Sequence, residues 1–235
     1  MTLHRLPEHR AQDLSTHDRY KDTGVLIIGL GRFGSAIAVE LDKLAVDVLV
    51  VERDEDLVAH WSGRIPLVQA DATNPDALEQ LGASEYGVAV VSIGSSLEAS
   101  VLATTNLVDI GVPQIWAKAI TEKHGRILER IGANHVVYPE ADAGQRVAHL
   151  LSGKMLDYIH VEDGFTIVKM RPPKEMQGFT LRQANIRQRY GITVIGVKSP
   201  GEDFQYANPE TKVMHSDIIV CSGHAELLER FAVRP

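Results

Sequence analysis

Val25-Leu26-Ile27-Ile28-Gly29-Leu30-Gly31-Arg32-Phe33-Gly34 decides the fold of this chain. Four apolar residues in a row suit a strand covered on both faces, and a G-x-G-x-x-G follows at once. In that pattern the first glycine permits a tight turn, and the second lets backbone approach a phosphate. The third lets a helix pack closely on the strand. Ala36, Ile37, Leu41 and Leu44 then recur at helical spacing. Val48-Leu49-Val50-Val51 is the next apolar run, and Glu52 closes it. A carboxylate at that point accepts from ribose hydroxyls and repels a 2′-phosphate, which disfavours NADP; the plainer alternative is a residue that caps a strand end.

Working outward, the alternation continues. Leu67-Val68, Val88-Ala89-Val90-Val91, Ile115-Trp116-Ala117 and His135-Val136-Val137 read as further strands, each separated from the next by a helical segment. Asn74-Pro75 reads as an N-cap followed by proline at the first helical position. Leu97, Val101, Leu102 and Leu107 mark a helix that ends near Gly111, and Ile127, Leu128 and Ile131 one that ends at Gly132. The expected fold class is α/β: a doubly wound, parallel-sheet Rossmann-type lobe over 24–140. Residues 1–23, charged and without apolar periodicity, are expected to form a flexible arm. A helix and linker are expected over 141–156, and a small α+β lobe over 157–235. In that lobe Phe165–Met170, Ile192–Val197 and Asp217–Cys221 read as strands, with helices around 181–189 and from Ala225 to Phe231.

Several function classes are disfavoured by what the chain lacks. A formal charge of −7 without a basic run argues against nucleic acid as a partner. No apolar window approaches the length of a membrane span, and the N-terminus does not read as a signal peptide, so a cytoplasmic protein is expected. Cys221 is the single cysteine, which rules out an intrachain disulfide and a Cys-based zinc site. The ten histidines are scattered without zinc spacing and are read as surface or structural residues. Neither a G-x-S-x-G elbow nor a Walker A lysine loop is present.

The candidate ligand shell is Gly29, Gly31, Arg32, Phe33, Gly34, Glu52, Arg53, Asp71, Ala72, Thr73, Ile93, Gly94 and Lys118. Arg32 is the most informative of them. A guanidinium inside a phosphate loop adds a cation to the backbone amides, and a cation at a helix N-terminus is otherwise mildly unfavourable. Asp71 reads either as an acceptor for the adenine amino group or as a turn residue before the Asn74 cap. Lys118 closes the fifth strand at the same carboxyl edge, where Ser92-Ile93-Gly94-Ser95 also lies; a solvated strand end is its alternative.

Four segments together resemble the RCK family of regulators of potassium channels and transporters, in its KtrA/TrkA-type branch. They are Gly29–Gly34; Gln69-Ala70-Asp71-Ala72-Thr73, with Gln69 where the family has glycine; Ile127–Ala133 leading into Val137-Tyr138-Pro139-Glu140; and the C-terminal lobe from Arg189 to Val220. The resemblance covers residues 24–235. It implies an N-lobe that binds ATP, ADP or NAD(H), a crossover helix exchanged within a homodimer, and a C-lobe that also dimerises. Four dimers would form an octameric ring at the inner face of the cell membrane, under a separate potassium transporter subunit of the KtrB/TrkH type. ATP would favour the active ring and ADP the inactive one, with Arg32 approaching the terminal phosphate of the dimer partner's nucleotide. Glu140 matches the family's glutamate that helps hold a divalent cation (magnesium or calcium) between subunits; an acid that complements a helix dipole is the alternative. Some relatives bind cyclic di-AMP on the C-lobe. The implied role is a nucleotide-sensing regulatory subunit and not an enzyme. Two other readings stay open: an NAD-dependent oxidoreductase, and a cyclic di-AMP sensor acting through the C-lobe.

Overall fold

β1 (Val25–Ile28) is the central strand of a six-stranded parallel sheet ordered β3-β2-β1-β4-β5-β6 in the computed structural model, which describes residues 23–151, 155–162 and 164–233. It pairs with β2 (Val48–Glu52) on one side and β4 (Val88–Val91) on the other, with Val25 opposite both Val48 and Val88. β3 (Leu67–Gln69), β5 (Gln114–Lys118) and β6 (His135–Val137) complete the sheet. The apolar runs are continuous because both faces are covered. Leu26 and Ile28 pack with Val51, Ala89, Val91, Leu107, Ile115 and Leu128, while Ile27 packs with Leu30, Ala38, Val50 and Val90. Each such fully buried Val, Leu or Ile side chain stabilises the fold by about 1.5–3 kcal/mol relative to exposure.

The crossovers are α1 (Arg32–Lys43), α2 (Glu55–Trp61), α3 (Pro75–Gln80), α4 (Leu97–Ile110) and α5 (Glu122–Ile131). The chain winds from β1 outward to β3 and then returns to β4 on the other side of β1, so the strand order reverses between β1 and β4. Ligands of such sheets bind at the carboxyl ends of the strands at this reversal. α4 and α5 stop at Gly111 and Gly132, both in the left-handed region.

The chain divides into two units that part between Pro139 and Glu140. α6 (Pro139–Leu151) opens with the last residue of the first unit. The second unit holds a five-stranded antiparallel sheet ordered β10-β9-β11-β8-β7. β8 (Phe165–Met170), β9 (Thr193–Lys198), β11 (Ile218–His224) and α9 (Ala225–Ala232) correspond to the expected elements. β7 (Asp157–Glu162) and β10 (Gln205–Tyr206) are edge strands that the apolar pattern does not announce. The helix expected over 181–189 is two short ones, α7 (Leu181–Ala184) and α8 (Ile186–Tyr190), broken at Asn185 with φ 49°. Met170, Met176, Ile192, Cys221, Leu228 and Phe231 form the core of this unit.

Residues 1–22 of the expected arm lie outside the described residues, as do 152–154 of the expected linker. Thr23, the last residue assigned to that arm, is described, and its Oγ1 accepts from the Gly87 N–H at 3.1 Å.

Candidate functional site

The three glycines of the loop do three different things. Gly29 has φ 97°, a conformation that side chains resist. At Gly34 an added Cβ would collide with the Gly29 carbonyl oxygen and lie 2.5 Å from Ser92 Oγ, so only glycine lets α1 sit this close to β1. Gly31 is in ordinary extended geometry, and a Cβ there would meet nothing within 4 Å. Its outer side is open space.

α1 starts beside that space. No side chain caps it at Gly31, and its first turn carries no acid. The next four helices are all capped by a side chain, from Asp54, Asn74, Ser96 and Thr121. The first-turn amides of α1 and the positive end of its dipole therefore face the opening without a competing side-chain acceptor among the described residues. Arg32 occupies the first position of α1 with an exposed side chain, and among the described residues its guanidinium has no ion-pair partner. These features fit a phosphate chain.

Glu52 ends β2 and is 9% exposed. Its Oε2 accepts from the Leu30 N–H at 2.6 Å, and its Oε1 from the N–H groups of Arg53 and Asp54 at 2.8 and 2.9 Å. A carboxylate offers about four acceptor positions, so three are filled and one remains, on Oε2. The strand-capping role is thus present, and beside it there is room for one ribose hydroxyl; a second would share an oxygen. The exposed Arg53 follows directly.

Asp71 lies in the turn after β3. Its Oδ1 accepts from Thr73 N–H at 2.9 Å and from Thr73 Oγ1 at 2.8 Å, which closes the turn that leads into the Asn74 cap. The backbone bond, then the hydroxyl bond, hold the carboxyl below its usual range, so it is an ionised acceptor at neutral pH. Ala72 is buried, and its carbonyl accepts from Asn106 Nδ2 at 3.0 Å, which ties this turn to α4.

Lys118 ends β5 half-buried, with Nζ 5.8 Å from the centre of the Phe33 ring. A Cβ on Gly94 would come within 3.2 Å of Nζ, so the glycine makes room for the ammonium. A Cβ on Gly29 would meet Ile93 Cγ1 at 3.5 Å, which places Ile93 beside the loop. The structure therefore gathers Phe33, Ile93, Gly94 and Lys118 around the loop.

Glu140 is the second residue of α6, exposed, and belongs to the second unit. Among the described residues no group of three His, Cys, Asp or Glu side chains is assembled that could hold a metal ion.

Sequence reasoning missed one participant. Ser92 Oγ reaches the carbonyl oxygens of Gly29 and Ile28 at 2.7 and 3.0 Å, so this residue holds the loop and does more than lie at the same carboxyl edge. The signal was a small hydroxylated residue directly after β4. His124 is structural as expected: it is 1% exposed, and its Nδ1 accepts from the Ile120 N–H at 3.4 Å.

Comparison with known proteins fits this geometry. Residues 25–139 match the TrkA-N domain family. Ktr system potassium uptake protein A of Bacillus subtilis is 34% identical over 215 residues, covering 91% of this chain and 97% of that protein. This chain belongs to the KtrA/TrkA-type RCK proteins. Ktr system potassium uptake protein A of Vibrio alginolyticus is 30% identical, covering 88% of this chain and 95% of the relative. Among solved structures, the GsuK channel shares the fold at a TM-score of 0.66 and 20% identity, over 90% of this chain and 39% of its own. GsuK bound to ADP aligns at a TM-score of 0.51 and 27% identity, over 57% of this chain and 35% of its own. The first lobe of this RCK protein is a Rossmann-type fold, and the relatives it matches over most of its length are named as Ktr system potassium uptake proteins. No helix among its described residues is long and apolar enough to cross a membrane.

Proposed function

We propose that this RCK protein is the nucleotide-sensing regulatory subunit of a potassium uptake system, and that it gates a separate membrane transporter subunit of the KtrB/TrkH type. ATP and ADP are the ligands in this reading, held at the carboxyl edge of the first sheet, with NAD(H) the weaker fit. One observation carries it: the uncapped start of α1, with exposed Arg32 at its first position and open space outside Gly31, faces a buried acceptor on Glu52. Amides and Arg32 suit a phosphate chain, and Glu52 suits an unphosphorylated ribose. The solved structure of GsuK with ADP is in keeping with such a ligand.

A switch needs contacts that differ between its two ligands. ATP and ADP differ by the terminal phosphate, and an exposed arginine in the loop is the group able to read that difference. Reaching the nucleotide of a second copy would turn the reading into a change of geometry within a homodimer, and through it within an octameric ring beneath the transporter. Glu140 would add one ligand to a magnesium or calcium ion whose remaining ligands come from phosphates and the second copy. Such a protein works in the cytoplasm, at the inner membrane face, through its partner.

Calorimetric titration of the whole chain with ATP, ADP, NADH and cyclic di-AMP tests this, repeated with Arg32→Ala and Glu140→Gln. ATP and ADP are expected to bind, Arg32→Ala to narrow the difference between them, and Glu140→Gln to weaken the enhancement of ATP binding by divalent cations. Tight NADH binding indifferent to Arg32, with weak ATP binding, would overturn the proposal. A cation response unchanged in Glu140→Gln would remove the metal role alone.

A further inference from the structure

One peptide bond of the glycine loop is gripped at both of its polar atoms. The carbonyl of Gly29 and the N–H of Leu30 belong to the same peptide plane. Ser92 Oγ, at the end of β4, lies 2.7 Å from that carbonyl oxygen, and Glu52 Oε2, at the end of β2, accepts from that N–H at 2.6 Å. The Ile28 carbonyl is also within reach of the Ser92 hydroxyl, but it already receives the Ser92 N–H at 2.8 Å. The hydroxyl proton is therefore better placed on Gly29. The Leu30 side chain, 2% exposed, anchors the same unit from a third direction among Ile27, Ala38 and Val50.

This plane matters because of where it stands. Gly29 is the residue whose backbone turns most freely, and only Leu30 and Gly31 separate it from the uncapped amides of α1. A rotation of the 29–30 peptide would re-aim those amides. What holds the plane therefore aims the phosphate subsite.

We propose that Ser92 and Glu52 jointly orient the phosphate loop, and that Glu52 couples the ribose subsite to the phosphate subsite, because the Oε2 open to a ribose hydroxyl is the oxygen that holds Leu30. Ser92 is a positioning residue in this arrangement and touches no ligand. The inference rests on the nucleotide reading above. Loss of the Ser92 hydroxyl then weakens phosphate binding while sparing adenosine. Glu52→Gln weakens both, since its amide group would set a donor against a backbone donor.

The test compares ADP with adenosine by calorimetry on the whole chain, for wild type, Ser92→Ala, Ser92→Cys and Glu52→Gln. Amide exchange across Gly29–Gly34 is followed without ligand. Ser92→Ala is expected to lower ADP affinity about tenfold, the usual weight of one buried hydrogen bond, and to leave adenosine within about twofold. Ser92→Cys, a weaker donor, should fall between, and it carries the comparison if the alanine variant fails to fold. Leu30 should exchange faster in the Ser92 variants while β1 is unchanged. Equal weakening of ADP and adenosine, or unchanged ADP affinity, would overturn the proposal. A wild type that binds neither ligand refutes the nucleotide reading instead. Unaltered Leu30 exchange in the Ser92 variants then overturns the loop-holding role, and faster exchange supports it.

Discussion

Gly31 and Gly34 are three residues apart in the same loop, and the structure assigns their substitution opposite consequences. For Gly34→Ala the new methyl would lie 2.5 Å from Ser92 Oγ and closer still to the Gly29 carbonyl oxygen, whereas real Cβ contacts essentially never fall under 3.0 Å. α1 would have to retreat from β1 by nearly an ångström. The obstruction is backbone, which cannot rotate aside, so the penalty belongs near the upper end of overpacking costs, about 3 kcal/mol. Replacing glycine within a helix returns about 1 kcal/mol. The net expectation is a loss of about 2 kcal/mol, or roughly 5–10 °C in the unfolding midpoint of the first lobe. Gly31→Ala meets no neighbour and keeps an allowed backbone, so stability should change by less than about 0.5 kcal/mol.

Binding should reverse the order of selectivity. The methyl of Gly31→Ala would stand in the open space that the phosphates need, and ADP affinity should drop about tenfold or more while the protein stays folded. Thermal unfolding followed by circular dichroism, with calorimetric titration of ADP on the same samples, measures both effects. A Gly34→Ala protein that melts like wild type would refute the close-packing argument. Wild-type ADP affinity in Gly31→Ala would refute the approach of phosphate to this loop.

Other expectations follow from groups away from the loop. Burial pushes the Cys221 thiol up to about 12, so it should resist Ellman's reagent at pH 8 in the native protein and react fully in denaturant. His124 is held neutral by burial, with its proton affinity lowered from the ordinary value of 6.5. The unfolded chain then takes up a proton near pH 6.5 that the folded one does not, so stability falls as pH drops from about 7 toward 5. Burial lowers the proton affinity of His135 in the same direction, so His124→Asn, whose Oδ1 keeps an acceptor for the Ile120 N–H, should reduce that dependence without abolishing it in unfolding experiments; an unchanged slope would assign it to other groups. Gly125→Ala should destabilise the first lobe by about 1–3 kcal/mol, because the methyl would collide with Tyr138 Oη, and Tyr138→Phe should relieve part of that loss. Arg146 donates from Nε and Nη2 to Asp157 Oδ1, at 3.1 and 2.8 Å. Both side chains are partly exposed, so Arg146→Ala should cost no more than about 1 kcal/mol in urea unfolding.

What the sequence discloses depends on the physical cause of each feature. The strands of the first sheet are legible because both of their faces are covered, and a covered face demands apolar residues at every position of β1 and β4 and at all of β2 but its last, Glu52. β7 carries no such demand. It is an edge strand with Ile159 and Val161 on its exposed side, and its pattern does not separate it from a loop. β10 is too short to make any pattern. The break between α7 and α8 falls within Leu181-Arg182-Gln183-Ala184-Asn185-Ile186, where every residue but one favours helix. Asn185 is the lone hint, since asparagine tolerates the left-handed region better than any other residue with a side chain.

The site shows the same division at finer scale. Gly29, Gly34 and Glu52 are legible because their spacing reports a turn, a close approach and a strand end, and all three are where the pattern places them. The grip on the Gly29–Leu30 peptide was not legible, because one end of each of its two bonds is backbone, and backbone donors and acceptors are identical at every residue. Only the fold decides which carbonyl and which N–H stand opposite Ser92 and Glu52. A motif of spaced glycines thus reports where phosphate can approach, and the strand ends on either side of β1 decide how the approach is aimed. That is why Ser92, which the spacing of the motif does not include, is expected to discriminate ADP from adenosine although it touches neither.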